Sequence, residues 1–432
     1  MKEFTGHNSP VMKARNRTAV LKLLLQRGPM ARRDIAALLE LTPATITNVA
    51  RELIQQGLIE ERTDVDILPV AVTKKPIPLV IRADGAFAIG INLGRTGIAV
   101  CVLDLRGDVR GFEIQSYTAR RDPDSIVEQA LAVTERLLGA SEIDLDRLVG
   151  VGVGVAGVVD PSLGIVRSHL QLGWWDVELG DLMRKAFGRS VNVVNNVHSM
   201  AVCERLFGVA SHARNFVEVY VSSIIGAAIV VDGELHRGLN AAAGLLGHLQ
   251  VDPDGPVCRC GGTGCLEAIA GNATLLQLAR EAIGRREQTA IHDLDEKISG
   301  TDPMLPIFEA AKSGDRLAID LLRRQATYVG SSIASLLYLL DPELVVVTGP
   351  VIGEVIDLGG TDFLEIVRKS AQHQARLLNV PDSRIQKSRF GLDGACRGGA
   401  AVVLADFLDA APFAERRRTP SFNGLVKALL PP

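Results

Sequence analysis

Between Gly244 and Glu267 the chain reads Gly-Leu-Leu-Gly-His-Leu-Gln-Val-Asp-Pro-Asp-Gly-Pro-Val-Cys-Arg-Cys-Gly-Gly-Thr-Gly-Cys-Leu-Glu, a stretch dense in groups able to do chemistry. Three of the six cysteines, Cys258, Cys260 and Cys265, fall within eight residues, and His248 lies ten positions before the first of them. One imidazole and three thiolates suit a closed, tetrahedral, structural Zn2+ site, since four protein ligands leave no open position for catalysis. Gly261, Gly262 and Gly264 let a short loop wrap an ion without side-chain clashes. The alternative is a disulfide with a spare thiol. Against it stand the strain of a Cys-x-Cys bridge and an N-terminus, Met-Lys-Glu-Phe-Thr-Gly-His, without the apolar core of a secretory signal.

The pattern Gly-x-x-Gly-His followed by Cys-x-Cys-Gly-x-x-Gly-Cys-Leu-Glu resembles the signature of the ROK family, which unites bacterial sugar-responsive repressors with sugar kinases. Similar segments recur from residue 13 or so to about residue 405. The resemblance implies a zinc hairpin beside a sugar pocket, with His248 and Glu267 among the ligand-binding residues. Leu245 stands where the family usually has a glutamate, so one hydroxyl-binding carboxylate is missing.

A chain of 432 residues calls for two or three domains. At 47% apolar and 22% charged residues it reads as globular and soluble, with no apolar run long enough to cross a bilayer, and a cytoplasmic location is expected. The net charge of −3 is uneven: residues 1–82 hold 13 Lys/Arg against 8 Asp/Glu, leaving the remainder at −8. A basic head on an acidic body directs the head toward a polyanion.

Within that head, apolar spacing predicts a helix over 16–26 and another over 31–39 burying Ile35, Ala36, Leu38 and Leu39. Thr42-Pro43 is a helix start, and the third helix runs to Gln56 with Ile46, Val49, Ala50, Leu53 and Ile54 inward. Strands at 58–61 and 78–81, with Lys74 and Lys75 at the tip between them, complete a winged helix-turn-helix. The residues expected to meet DNA are Thr42, Ala44, Thr45, Thr47, Asn48 and Arg51 on the third helix, Arg32, and the wing pair Lys74 and Lys75, with Arg15, Arg17 and Arg33 as further phosphate candidates. A three-helix packing module with a solvated basic face is the blander reading; the basic wing and charge excess favour DNA.

The body alternates strands and helices twice over, which predicts a duplicated α/β body with a cleft between two lobes, and the resemblance implies an actin/hexokinase-like, ribonuclease H-like fold, with 83–194 plus 385–410 as the small lobe and 195–384 as the large one. Residues 149–159 are read as one buried, glycine-rich strand, and strands are also expected at 191–194 and 385–390. The strand ending at Val194 delivers Asn195 and Asn196 toward the cleft as candidate sugar ligands. The resemblance implies an Asp at position 196 acting as base in the kinases, an Asp at position 92 helping to hold magnesium, and a Gly-Thr-Gly-type phosphate loop where this chain has Ser222-Ser223-Ile224-Ile225-Gly226. An amide binds Mg2+ poorly and cannot deprotonate a hydroxyl.

Three functions follow. The first is a repressor whose head binds operator DNA as a homodimer or tetramer and whose cleft takes a sugar. The second is an active ATP-dependent sugar kinase. The third is a repressor that answers to a protein partner instead of a sugar, as the loss of a carboxylate at Leu245 would favour.

Overall fold

The computed structural model describes residues 9–64, 76–292, 303–354, 356–391 and 393–410. The expected wing lysines Lys74 and Lys75 lie outside the described residues, as does the tail after Ala410.

The chain begins with helix α1 (Ser9–Arg27), a two-residue strand β1 (Met30–Ala31), α2 (Arg32–Leu38) and α3 (Pro43–Gln55). Thr42 caps α3, its hydroxyl accepting from the Thr45 amide at 3.2 Å. Strands β2 (Ile59–Glu61) and β3 (Pro78–Ile81) then pair antiparallel, with β1 on the other edge of β3. This is the winged arrangement expected. Two apolar assignments fail: Leu38 and Ile54 are exposed, because Ile35, Ala36, Ile46, Val49, Ala50 and Leu53 already fill the space under α1.

The first lobe holds β4 (Phe87–Leu93), β5 (Gly97–Asp104), β6 (Val109–Ser116), α4 (Pro123–Gly139), β7 (Leu148–Val155), a side ribbon of β8 (Val158–Asp160), β9 (Ile165–His169) and β10 (Trp174–Val177), then α5 (Leu179–Phe187), β11 (Val191–Asn195) and α6 (Asn196–Phe207). The second holds β12 (Phe216–Val221), β13 (Ile225–Val231), β14 (Glu234–His236), α7 (Leu266–Ala270), α8 (Asn272–Gly284), α9 (Leu305–Lys312), α10 (Arg316–Leu340), β15 (Leu344–Thr348), α11 (Pro350–Gly353), α12 (Phe363–Gln374) and β16 (Ile385–Lys387). Helix α13 (Gly394–Asp409) returns to the first lobe.

The two main sheets share one plan. Their orders, β6-β5-β4-β7-β11 and β14-β13-β12-β15-β16, each set three antiparallel strands beside two parallel ones. The duplication read from the sequence is therefore structural. Two boundaries move: β16 pairs with β15, so residues 385–387 belong to the second sheet, and α6 packs on α13, so residues 195–207 go with the first lobe. The run 149–159 also breaks in two, since Gly157 takes φ +96° and an added Cβ there would sit 2.0 Å from the Ser168 carbonyl oxygen.

The glycines of β7 have a packing cause. A Cβ on Gly152 would meet the Gly399 carbonyl at 1.9 Å, and one on Gly90 of β4 would meet that of Cys396 at the same distance, so α13 lies directly on the sheet. No phosphate is needed to explain them. On this face the apolar cluster runs without a break from Val20, Leu21 and Leu24 of α1 through Leu206 and Phe207 of α6 to Cys396, Leu404 and Leu408 of α13. Thr18 donates to the Leu408 carbonyl at 2.7 Å, Lys22 pairs with Asp409 at 2.7 Å, and Gln26 donates to the Ser211 carbonyl at 3.0 Å. Head and first lobe share a core.

Candidate functional site: a cleft beside a four-ligand cage

The His248–Cys265 segment folds as a compact loop. A 3-10 turn over Leu246–His248 presents the imidazole, and two isolated bridges, Gln250 to Cys265 and Val257 to Thr263, close the base. Gly264 has φ +66°, and a Cβ there would fall 1.5 Å from the Asp252 carbonyl, so only glycine closes this turn. The loop brings one ligand atom from each of His248, Cys258, Cys260 and Cys265 within 4.8 Å of one another. His248 Nδ1 lies 3.7 Å from Cys258 Sγ, and Cys260 Sγ lies 3.7 Å from Cys265 Sγ. With Zn–S bonds of about 2.3 Å, a tetrahedral site has S···S edges of about 3.8 Å, so these separations fit an ion. All six cysteines are free thiols, which removes the disulfide reading.

Beside the cage opens a cleft between the lobes, ≈ 690 Å³ including its mouth. Its floor comes from the first lobe, with Gly157, His169, Leu170 and Asn195; its roof comes from the second, with Ile225, Leu245, His248 and Glu267. Glu267 opens α7, and its Oε2 accepts the Ile225 amide at 3.0 Å. Burial holds its carboxyl above the ordinary range, and the Ile225 N–H and nearby His248 and Arg259 oppose that rise. Leu245 reaches the cleft, so the missing carboxylate leaves an apolar patch there.

The two expected asparagines part company. Asn195 borders the cleft while capping α6: its Oδ1 accepts from Val197 and His198 at 2.9 and 3.0 Å, and its Nδ2 donates to the Gly157 carbonyl at 2.8 Å. Asn196 is 4% exposed and does not line the cleft; its place in the first turn of α6 turns it toward Val197. Two contributors passed over in the sequence are His198, whose Nε2 lies 3.1 Å from the Ala243 carbonyl, and His169 at the end of β9. Only tertiary packing, which sets the end of β9 and the first turn of α6 around one cleft, brings them together.

Where the resemblance implied nucleotide phosphates, Arg95 Nε donates to Ser223 Oγ at 3.1 Å, tying the β4–β5 turn to the loop before β13. Asn92 Oδ1 is buried without a hydrogen-bond partner. A neutral amide and a cross-cleft arginine thus occupy the ground between the two hairpins.

On the head, Ala44, Thr47, Asn48 and Arg51 are exposed, and Arg51 Nη1 donates to Asn48 Oδ1 at 3.2 Å. Thr42 and Thr45 hydroxyls share a hydrogen bond at 2.8 Å, and Thr47 bonds back to the Pro43 carbonyl. Arg32 reaches Glu61 at 2.6 Å, pinning α2 to the wing strand. Arg17 is 7% exposed, 3.6 Å from Glu52, and is removed from the phosphate candidates. Among the described residues no helix is long and apolar enough to cross a membrane.

Comparison with known proteins bears on both parts. The pattern described as ROK family matches residues 88–406, and that described as MarR family matches residues 14–66. The N-acetylglucosamine repressor of Escherichia coli O157:H7 is 30% identical over 80% of this chain and 82% of its own length. A solved ROK family transcriptional regulator, described as a homologue of the E. coli MLC protein, superposes with TM-score 0.71 at 29% identity, covering 92% of this chain and 97% of its own. A ROK family glucokinase from Streptomyces griseus, solved with glucose and AMPPNP, gives TM-score 0.64 at 26% identity, covering 99% of itself but 73% of this chain.

Proposed function

The chain belongs to the ROK family, and from that premise we propose that it is a DNA-binding transcriptional repressor of carbohydrate genes, released by a sugar or sugar derivative held in the cleft. The observation that carries this reading is the union, in one chain, of a MarR-type winged head with a cleft whose kinase groups are replaced. The glucokinase likeness covers the body alone. Asn92 and Asn196 stand where a kinase needs carboxylates, and losing a general base alone lowers rate by about 10²- to 10⁴-fold.

In this reading α3 enters the major groove. Thr42, Ala44, Thr45, Thr47, Asn48 and Arg51 face base edges and phosphates, and Lys74 and Lys75 serve the wing. A homodimer sets two heads at one operator. His248, Cys258, Cys260 and Cys265 hold a structural Zn2+, which would supply a fixed tetrahedral clip keeping the Gly247–Glu267 side of the cleft in place; tetramers remain an outcome of the mass measurement below. Residues 83–207 with α13 form one lobe and 216–387 the other.

Helix α6 links cleft to head. Its N-terminal turn carries Asn195 and His198 at the cleft, and about 18 Å further on, at 1.5 Å per residue, Leu206 and Phe207 lie in the core under α1. A ligand that shifts the first turn therefore moves the ground on which the head sits.

The test is a gel shift with fragments of the protein's own upstream region, titrated with glucose, xylose and N-acetylglucosamine, alongside Mg-ATP turnover and solution mass. Fragment binding released by a sugar, without sugar phosphate formed, is expected. Rapid phosphorylation would overturn the proposal, and release only by a second protein would transfer control to a partner.

A further inference from the structure

His169 ends β9 and faces the cleft, yet it is 1% exposed and packs edge-on to Trp174 at 5.9 Å between ring centroids. Its Nδ1 lies 3.3 Å from the Leu172 backbone nitrogen. A backbone N–H can only donate, so Nδ1 must present its lone pair, and the ring proton must sit on Nε2. Nothing among the described residues accepts that proton: Nε2 is buried without a partner. Burial also depresses the ring's pKa to about 4, so the imidazole is neutral at pH 7. The result is a neutral donor with one free N–H, fixed in orientation by the Leu172 bond and bordering the cavity.

A buried donor left unsatisfied is costly, and such groups are expected to find a partner in a ligand or an ordered water. Around it, Leu170 and Leu245 are apolar, while Glu267 on the roof offers carboxylate oxygens and accepts rather than donates. His169 therefore supplies what the known carboxylate does not.

We propose that His169 Nε2–H is a ligand-recognition donor that takes an uncharged oxygen, a hydroxyl or an amide carbonyl, of a monosaccharide in the cleft. This rests on the sugar-pocket reading above. The neutral ring offers one N–H to an acceptor oxygen and carries no positive charge to offset a phosphate.

Two variants separate recognition from loop support. In His169→Asn the side-chain oxygen replaces Nδ1 and can still accept the Leu172 amide, but no donor reaches the place of Nε2. In His169→Gln the terminal amide nitrogen reaches that place while the Leu172 bond is lost. Glucose, xylose and N-acetylglucosamine are titrated calorimetrically into the full chain, with melting temperature as a control. For the sugar that binds wild type, His169→Asn is expected to melt near wild type and bind about 10-fold more weakly, as for loss of one hydrogen bond, while His169→Gln keeps most of the affinity at a lower melting temperature. Wild-type affinity in a folded His169→Asn overturns the assignment and leaves the pocket reading intact. Loss of affinity in both variants alike also overturns it, because loop support would then be the whole role. Failure of the wild type to bind any of these sugars defeats the pocket reading and the assignment together. In the ligand-free protein, 15N shifts showing the Nδ1–H tautomer would contradict it independently.

Discussion

Leu21 lies on α1, fully buried in the cluster that α1 shares with α6 and α13. Truncating it to alanine removes a buried isopropyl group from a site walled by both head and first lobe. Leu→Ala changes of this kind cost about 2–5 kcal/mol, and a site held on three sides by helices collapses little, so about 3 kcal/mol is the working figure. With a urea slope of about 3 kcal/mol/M, the midpoint should fall by about 1 M. The assay is tryptophan fluorescence. Both tryptophans, Trp174 and Trp175, lie in the side ribbon of the first lobe, far along the chain from the mutation. If head and lobe form one cooperative unit, a change in the head moves the tryptophan transition by the full amount. An unmoved tryptophan transition, with hydrogen exchange in α1 to α3 accelerated, would mean that the head unfolds alone and that no ligand signal passes through the shared core.

Other changes probe separate parts. Arg51→Ala should weaken operator binding by about 1–3 kcal/mol at an unchanged melting temperature, or, for a phosphate contact, reduce the salt slope by about 1; normal binding removes Arg51 from the interface. Cys260→Ser should abolish bound zinc by metal analysis and lower the melting temperature, and freshly purified wild type with no zinc would defeat the cage assignment. Glu218 on β12 is buried, Oε2 lacks a partner, and burial followed by the charge of Glu204 raises its pKa well above the ordinary 4.5. The unfolded chain then releases this proton at lower pH than the folded one, so the native state loses stability as pH rises above 4.5. Glu218→Gln should consequently gain on wild type between pH 5 and 8 in urea unfolding, and a constant difference would refute the buried-acid assignment.

Local features were open to sequence reading. The cap at Thr42-Pro43, the α3 stop at Gly57, and the ligand spacing from His248 to Cys265 are set by neighbours a few residues apart. What escaped depends on distant packing. Leu38 and Ile54 have the spacing of core residues but face outward because α1 is already covered, and Arg17 turns inward to Glu52. The glycines of β7 were legible as a buried strand, but their cause was not, since α13, which lies on them, comes more than two hundred residues later. His169 gave no signal at all, since its importance comes from an empty nitrogen in a cleft made by two lobes. Asn196 was placed at the cleft with Asn195 at the strand end and by the resemblance to an Asn-Asp motif, yet one step along the first turn of α6 points its side chain toward Val197.

The most direct measurement is fluorescence anisotropy of labelled upstream DNA with the intact chain, in low salt, with and without each unphosphorylated sugar. Tight binding to a discrete fragment, reversed by one sugar, is the expected result. Indifference to every fragment would contradict the central claim that the winged head acts on DNA under the control of the cleft.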